Sequence, residues 1–507
     1  MFRTKVSVGI GALALASVAF STALGAAAPA SVVGATPMAL AIPRTPAVFP
    51  AHADAYTYCT LPDGTPVDFF HCYTPQDIRA YYGVDQTYLP NSNTPDYGHG
   101  QTIVLVDAYG SPTAASDLQT FHDKFFPNLP SPDFTQVFPL GNPQYNNTAN
   151  GQGLSGPNGA AGWSGEATLD IEWAYAIAPE AHIILLAVPP AETEGVQGYP
   201  NLFKAISQEI AATPAGTEFS LSFSSTEQAF GGAGASQVAK FDQVFQQGLA
   251  KSDNFFVATG DTGTVNVNKQ AKDSGTYAYP TVNWPASSPY VVAVGGTQAQ
   301  IGWTWNPTSN VAFNPDGSFN ADYWQANSGG VSQAVWNESW APIGSGGGVS
   351  TLYPEPSWQE SAGTFTGRAL PDVAWNAAVN GGVDVYISAY PQYNCGQSSG
   401  CWSVYGGTSA ATPQTAATIA LVNAARASEG KTPIGFLDPM LYSGVGASDY
   451  TDVIPQTYGN VLVGKLNSNQ MWGSSVPGRP TTSGYDLTTG WGTPKVSQLV
   501  ADLAAKP

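Results

Sequence analysis

The octapeptide Gly406-Gly407-Thr408-Ser409-Ala410-Ala411-Thr412-Pro413 places a serine between a glycine pair and a proline, where a long apolar helix running to about Glu429 begins. A serine hydroxyl titrates far above neutral pH, so it attacks a carbonyl only with a base beside it and hydrogen-bond donors waiting for the oxyanion. A helix start provides some of those donors, because its first-turn amides and dipole favour negative charge. Pro413 suits the same place, since the missing N–H of a first-turn proline costs nothing. A serine there is also an ordinary N-cap, so acyl transfer requires a base from elsewhere in the chain.

A serine nucleophile commonly draws on histidine. The five histidines are His52, His71, His99, His122 and His182, and none has a Gly-flanked His-Gly-x-His setting. Surface or packing roles are expected for them. The better base is in Gly165-Glu166-Ala-Thr-Leu-Asp170-Ile-Glu172-Trp173-Ala-Tyr-Ala-Ile177-Ala-Pro179, a helix stopped by Pro179. Glu166 and Asp170 are i and i+4, and their face continues through Trp173 and Ile177, so both acids share an apolar stripe. Thr168 and Glu172 are expected on a solvated polar face. Two close, partly desolvated carboxyls raise one pKa and can share a proton, which poises one of them as base and then acid in an acidic range. The alternative is a surface pair near a helix N-terminus. A third acid, Asp261, follows the buried strand Phe255–Ala258 in a Gly-Asp-x-Gly turn at the carboxyl edge, where open parallel sheets place their sites. Protonated, it would donate to an oxyanion; otherwise it is a turn aspartate.

These residues need a scaffold. Gln101–Asp107 is a strand by its continuous apolar, β-branched run, followed by a helix from about Ala114 to Phe126. Thr74-Pro75-Gln76-Asp77 caps a short helix onset. Strands Ala181–Val188, Phe219–Phe223, Asn254–Ala258 and Tyr290–Val294 alternate with helices Asn201–Ala212 and Ala235–Ala250. The fold class is therefore α/β, a mainly parallel doubly wound sheet flanked by helices. Beyond Gly295, Gly, Ser, Asn, Trp and Pro indicate long loops and hairpins through about Pro356.

The chain of 507 residues opens with Met1-Phe-Arg-Thr-Lys5, an apolar run Val6–Phe20 and a small-residue stretch, the layout of a signal peptide over residues 1–28. An Ala/Pro-rich flexible leader over 29–66 and one folded domain over 67–507 are expected to follow. A secreted, extracellular chain suits disulfides Cys59–Cys72 and Cys395–Cys401, the local connectivity among three. Net charge is −19 although charged residues make up only 10%, so the acidity reflects missing bases. Such a surface gains little positive charge in acid, which suits low pH; solubility tuning is the alternative. Nucleic acid and anionic membranes are poor partners for it, and no later segment is long and apolar enough to span a bilayer.

Together the residues resemble the sedolisin family, serine-carboxyl peptidases similar in fold to subtilisins. The likeness runs from about Thr74 to Leu503. Its marks are Glu166-x-x-x-Asp170, Ala258–Gly263, Trp284–Thr297, Gly346-Gly-Gly-Val-Ser350, Pro371-Asp-Val373 and Gly406–Pro413. The resemblance implies subtilisin-like architecture, with Ser409 as nucleophile, Glu166 as general base and acid, Asp170 orienting it and Asp261 on the oxyanion side. It also implies a Ca2+ site within about 445–495, resembled by Thr451–Ile454 and Ser483–Pro494, with Asp452 and Asp486 as side-chain ligands and Val453, Thr482 and Gly484 offering carbonyls. An all-oxygen shell is what calcium prefers. Thr482 stands near where some relatives have glycine, which a carbonyl ligand tolerates. Members usually carry a long folded propeptide, and too few residues precede Thr74 for one; a separate inhibitor or folding partner is expected instead. The implied protein is an acid-active monomeric endopeptidase or tripeptidyl peptidase acting on proteins or peptides. Its rivals are a histidine-dependent subtilisin-like peptidase using Asp107 and a binding protein on a silent scaffold. Asn146-Asn147-Thr148 and Asn337-Glu338-Ser339 match glycosylation sequons.

Overall fold

The structure is a computed structural model that describes residues 36–37, 40–41, 59–64, 66–67, 71–143, 159–188, 196, 198–266, 268, 275–301, 303–305, 324–326, 332–338, 342–458, 461–462, 464–471 and 473–507. The signal peptide expected over 1–28 lies outside the described residues, as do His52 and the Asn146 sequon.

The central sheet is built from β1 (Thr102–Ala108), β2 (Phe134–Val137), β3 (His182–Val188), β4 (Glu218–Leu221), β6 (Asn254–Ala258), β7 (Val292–Gln300), β8 (Ser332–Val335) and β9 (Val373–Asn376), with β5 (Phe223–Thr226) continuing the chain just beyond β4. The order across the sheet is β8-β7-β6-β4-β1-β3-β2, with β9 also paired to β7. The pairings are parallel except β7 with β8. A second antiparallel pair, β10 (Gly382–Ile387) and β11 (Cys401–Gly406), stands outside this sheet.

The helices are α1 (Pro75–Tyr82), α2 (Ala114–Phe125), α3 (Ala160–Ile177), α4 (Tyr199–Ala212), α5 (Gly234–Leu249), α6 (Thr408–Ser428) and α7 (Val496–Ala505). Their origins are legible locally. In α1 the Thr74 hydroxyl accepts from Asp77 N while Asp77 accepts from Thr74 N, a reciprocal cap.

Two hydrophobic cores follow from the period-2 alternation of the strands. Ile103 and Leu105 of β1 pack with α3 and α6 on one face, whereas Val104 and Val106 pack with α4 and α5 on the other. Asp107 keeps step with Ile103 and Leu105, so it faces the α3 side. Helix α3 is enclosed by β1, α2, α6 and β10, and every described position from Ser164 to Ile177 is buried. The solvated face expected for Thr168 and Glu172 is therefore not found: Thr168 Oγ1 donates to Ser164 O, and Glu172 Oε2 accepts from Tyr386 N of β10. A two-sided helix pattern misled here because both sides of α3 are covered by protein. Both disulfides form as the spacing suggested, Cys59 with Cys72 and Cys395 with Cys401.

Candidate active site

Ser409 lies in the first turn of α6, directly after β11, and is completely buried. Gly407 allows the turn, because its φ of 109° is a conformation that side chains resist. Ser409 Oγ makes no hydrogen bond. The positive end of the α6 dipole favours negative charge beside it, although the Thr408 N–H is already given to Asp261 Oδ1 and the Ala410 N–H to Gly407 O.

Thr408 locks the second component in place. Its N–H and its hydroxyl each lie 2.8 Å from Asp261 Oδ1 and donate to it, and the hydroxyl also accepts from Gly260 N at 3.1 Å. Asp261 Oδ2 is buried with no partner. Burial raises the Asp261 carboxyl to about 7 against the two bonds from Thr408 that oppose it. A carboxyl held by one oxygen and protonated on the other is a neutral donor at acidic pH. Gly346 closes the same turn from behind, donating to Gly260 O at 2.7 Å; a Cβ there would lie 2.4 Å from Thr259 O. That contact is a physical reason for the Gly346–Gly348 run.

The third component comes from α3, which packs directly on α6. Glu166 and Asp170 are wholly buried, as is Asp107 from the end of β1. Burial pushes Asp170 well above the ordinary aspartate range, the Asp107 and Glu166 charges push it further, and the Ser222 hydroxyl opposes them. Burial likewise raises Asp107 to about 8. Asp170 nevertheless makes no hydrogen bond of normal geometry, and neither does Asp107. The phenol of Tyr405, on β11, would lie 3.0 Å from a Cβ at Gly165, and the Glu166 and Glu172 charges add to the burial that raises it.

Three carboxyls thus form one desolvated cluster on and beneath α3, the helix that packs on the one carrying Ser409. Sequence reasoning brought together Ser409, Glu166, Asp170 and Asp261, and the structure places all four within this α3–α6–β6 corner. It assigned Asp107 only to a histidine-dependent alternative. The usable signal was a charge ending a wholly apolar strand. Thr408, Ser222 and Tyr405 carried no such signal, because only the tertiary packing brings them here.

The described histidines are engaged elsewhere. His122 Nδ1 lies 2.6 Å from Tyr175 Oη and His182 Nδ1 lies 2.8 Å from Asp133 Oδ1. His99 is exposed and faces Glu180, and His71 is positioned by its backbone N–H on Asn380.

The turn carrying the calcium candidates folds onto itself. Asp452 Oδ2 accepts from Gly484 N at 2.8 Å, and Asp486 Oδ2 accepts from Thr482 N at 2.9 Å. Asp486 Oδ1 is further tied to the amides and hydroxyls of Thr488 and Thr489. Asp452 Oδ1 is buried and unpartnered. An orphaned carboxylate oxygen beside an exposed turn rich in carbonyls fits a hard cation, although Asp486 is already well satisfied by its own turn. Cys59, Cys72 and Asp384 are also gathered, but the two sulfurs are joined to each other and hold no metal. Asn337 is buried and its amide donates to Ser468 O and Gln470 O, which leaves that sequon closed to a sugar.

No family model matches the chain. It is 29% identical over 383 residues to kumamolisin of Bacillus sp. (strain MN-32), a match covering 73% of this chain and 55% of that protein. Tripeptidyl-peptidase 1 of Homo sapiens is 27% identical over 449 residues, covering 85% of this chain and 64% of that one. The chain thus spans between half and two thirds of the length of these relatives. Among solved structures, Pseudomonas sedolisin, a serine-carboxyl proteinase complexed with two molecules of pseudo-iodotyrostatin, superimposes with a TM-score of 0.58 at 22% identity, covering 86% of this chain and 98% of that one.

Proposed function

We propose that this chain, which belongs to the sedolisin family and has its subtilisin-like fold, is a secreted, acid-active peptidase that hydrolyses peptide bonds of proteins or peptides through an acyl-enzyme on Ser409. The observation that carries the reading is a buried, unbonded Ser409 Oγ at a helix start, with buried carboxyls on the helix packed against it.

In this mechanism Glu166 takes the Ser409 proton as Oγ adds to the substrate carbonyl carbon, and returns it to the departing amine. Asp170 positions Glu166, and the burial that raises both Asp170 and its neighbour Asp107 favours protons retained in the cluster over full ionisation. The oxyanion is met by the positive end of the α6 dipole and by the protonated Oδ2 of Asp261. Water then attacks the ester, with Glu166 again carrying the proton. Two limbs bound the activity. Acid strong enough to protonate the whole carboxyl cluster removes the base, and pH above about 7 ionises Asp261 and places a like charge at the oxyanion.

Calcium is assigned to Asp452 and Asp486 with the carbonyls of Val453, Thr482 and Gly484. When bound it supplies charge that ties this turn down and takes no part in the reaction. Secretion rests on the signal-like start of the chain; among the described residues no helix is long and apolar enough to cross a membrane. A monomer acting on protein or peptide substrates completes the reading.

Hydrolysis of an unfolded protein from pH 2 to 8, with calcium, by wild type, Ser409→Ala and Glu166→Gln tests it. Activity confined to acid and lost in both variants is expected. Activity persisting in Glu166→Gln at neutral pH refutes the carboxyl mechanism.

A further inference from the structure

The candidate active site stands at the carboxyl ends of the sheet strands, and a second concavity opens at their amino ends. It is a cavity of about 400 Å³ between the first residues of β1 and β3, the last turn of α4 and the turn His99–Gln101. Thr102 and His182 keep step with Val104 and Ile184, which pack in the core shared with α4, so both side chains face that helix. Glu209 answers from α4, seven residues after Leu202 and three after Ile206, on the stripe that packs against the sheet. It lines the cavity and is only 7% exposed, yet its carboxyl makes no hydrogen bond among the described residues. Burial raises it, and the His182 ring opposes that. A carboxyl buried without a donor is costly unless a cation compensates it.

Two imidazoles line the same cavity, each beside a carboxylate. His182 Nδ1 lies 2.8 Å from Asp133 Oδ1 and His99 Nδ1 lies 3.7 Å from Glu180 Oε2, and the cavity has no lysine or arginine in its wall. A carboxylate that accepts the Nδ1–H of a neutral histidine fixes the tautomer and leaves the Nε2 lone pair for a metal ion. Calcium and magnesium prefer oxygen donors, whereas imidazole set beside carboxylate suits zinc and the neighbouring divalent ions of the first transition row. We propose that this cavity binds a divalent transition-metal ion, with His182 Nε2 and the Glu209 carboxyl as its inner donors and His99 as the third.

His99, His182 and Glu209 do not all lie within 4.8 Å of one another, so the ion has to draw one donor inward. His99 is the one able to move, because its side chain is 87% exposed and it stands between Gly98 and Gly100, the residues that restrict a backbone least. The other two are fixed by β3 and by α4. Asp133 and Glu180 stay outside the shell of the ion and hold the rings. A bound ion ties the turn and the end of α4 to the sheet edge away from Ser409, so it should be felt as stability rather than as rate.

The test is isothermal titration calorimetry of Zn2+ at pH 7 into the untagged full chain carrying Ser409→Ala, so that proteolysis does not intervene, in buffer containing calcium. One ion per chain is expected at micromolar affinity, with a thermal midpoint that rises as zinc is added. His182→Gln and Glu209→Gln, both close to the native side chains in size, should each weaken binding at least about tenfold and abolish the rise, and Asp133→Asn should weaken it about tenfold through the ring it orients. His99→Ala should weaken it by a smaller factor, and Asp452→Asn should bind zinc as before. Circular dichroism checks that each variant is folded; if either glutamine variant is not, Asp133→Asn, at the exposed side of its pair, carries the decision. Unchanged affinity in the His182, Glu209 and Asp133 variants, loss of the ion in Asp452→Asn, or no binding at millimolar zinc would each overturn the proposal.

Discussion

Replacing Asp261 with asparagine separates the shape of this side chain from its proton. Asp261 Oδ1 accepts two bonds from Thr408, each 2.8 Å, and an amide oxygen accepts both equally well. The amide nitrogen would take the place of the unpartnered Oδ2 and donate to the oxyanion without having to be protonated. At pH 4 the variant should therefore keep kcat/KM within about tenfold of wild type, since a donor is retained. At pH 8 wild type, with its carboxyl raised to about 7, retains roughly one protonated molecule in ten and loses activity accordingly. The asparagine variant has no such proton to lose, so its alkaline limb should move up by at least about one pH unit. Asp261→Ala removes the donor altogether and should cost about 10²- to 10³-fold in kcat. It also leaves the Thr408 amide without its acceptor, at about 1–3 kcal/mol of stability. The assay is kcat/KM on one short peptide at half-unit pH steps, using initial rates and a parallel circular dichroism check that each enzyme stays folded. An alkaline limb in Asp261→Asn that superimposes on wild type would refute the assignment of that limb to Asp261.

Other expectations follow from the same geometry. Glu166→Gln should lower kcat by at least about 10³-fold at the acidic optimum, whereas His182→Gln should leave it within about twofold; the reverse pattern in steady-state kinetics would return the proton to a histidine. Stability should fall as pH rises. Burial raises Asp96 and Asp261 each to about 7 in the folded chain, so the native state binds more protons than the unfolded chain, and the stabilisation present below about pH 4 is lost towards pH 7. Each such group contributes about 1.4 kcal/mol per pH unit across that window, and the thermal midpoint of Ser409→Ala at pH 4 should exceed that at pH 7; an unchanged or higher midpoint at pH 7 would contradict it. Asp452→Asn should abolish any rise of thermal midpoint on adding calcium, measured against wild type by calorimetry, and an equal rise in both would move the ion elsewhere.

The sequence by itself determined the sheet class and both disulfides and singled out Ser409, Glu166, Asp170 and Asp261 as candidates, because each rests on a local pattern. A continuous apolar run makes a buried strand, a Gly-Gly-Thr-Ser-Ala start makes a loop-to-helix junction, and acids at i and i+4 share a face of whatever helix carries them. Periodicity could not say how many sides of a helix are covered, and for that reason Thr168 and Glu172 are buried where a solvated face was expected. Only the tertiary structure decided which charges meet. Asp107 and Asp170 belong to distant segments, and their coupling arises because β1 delivers its last inward-facing residue beneath α3. The raised carboxyl of Asp261 has the same origin, since the burial that outweighs the opposing bonds from Thr408 comes from α6 folding against the turn after β6. The meeting of His182 with Asp133 and Glu209 is likewise invisible to composition, because it depends on which strand starts and helix ends the finished fold sets side by side.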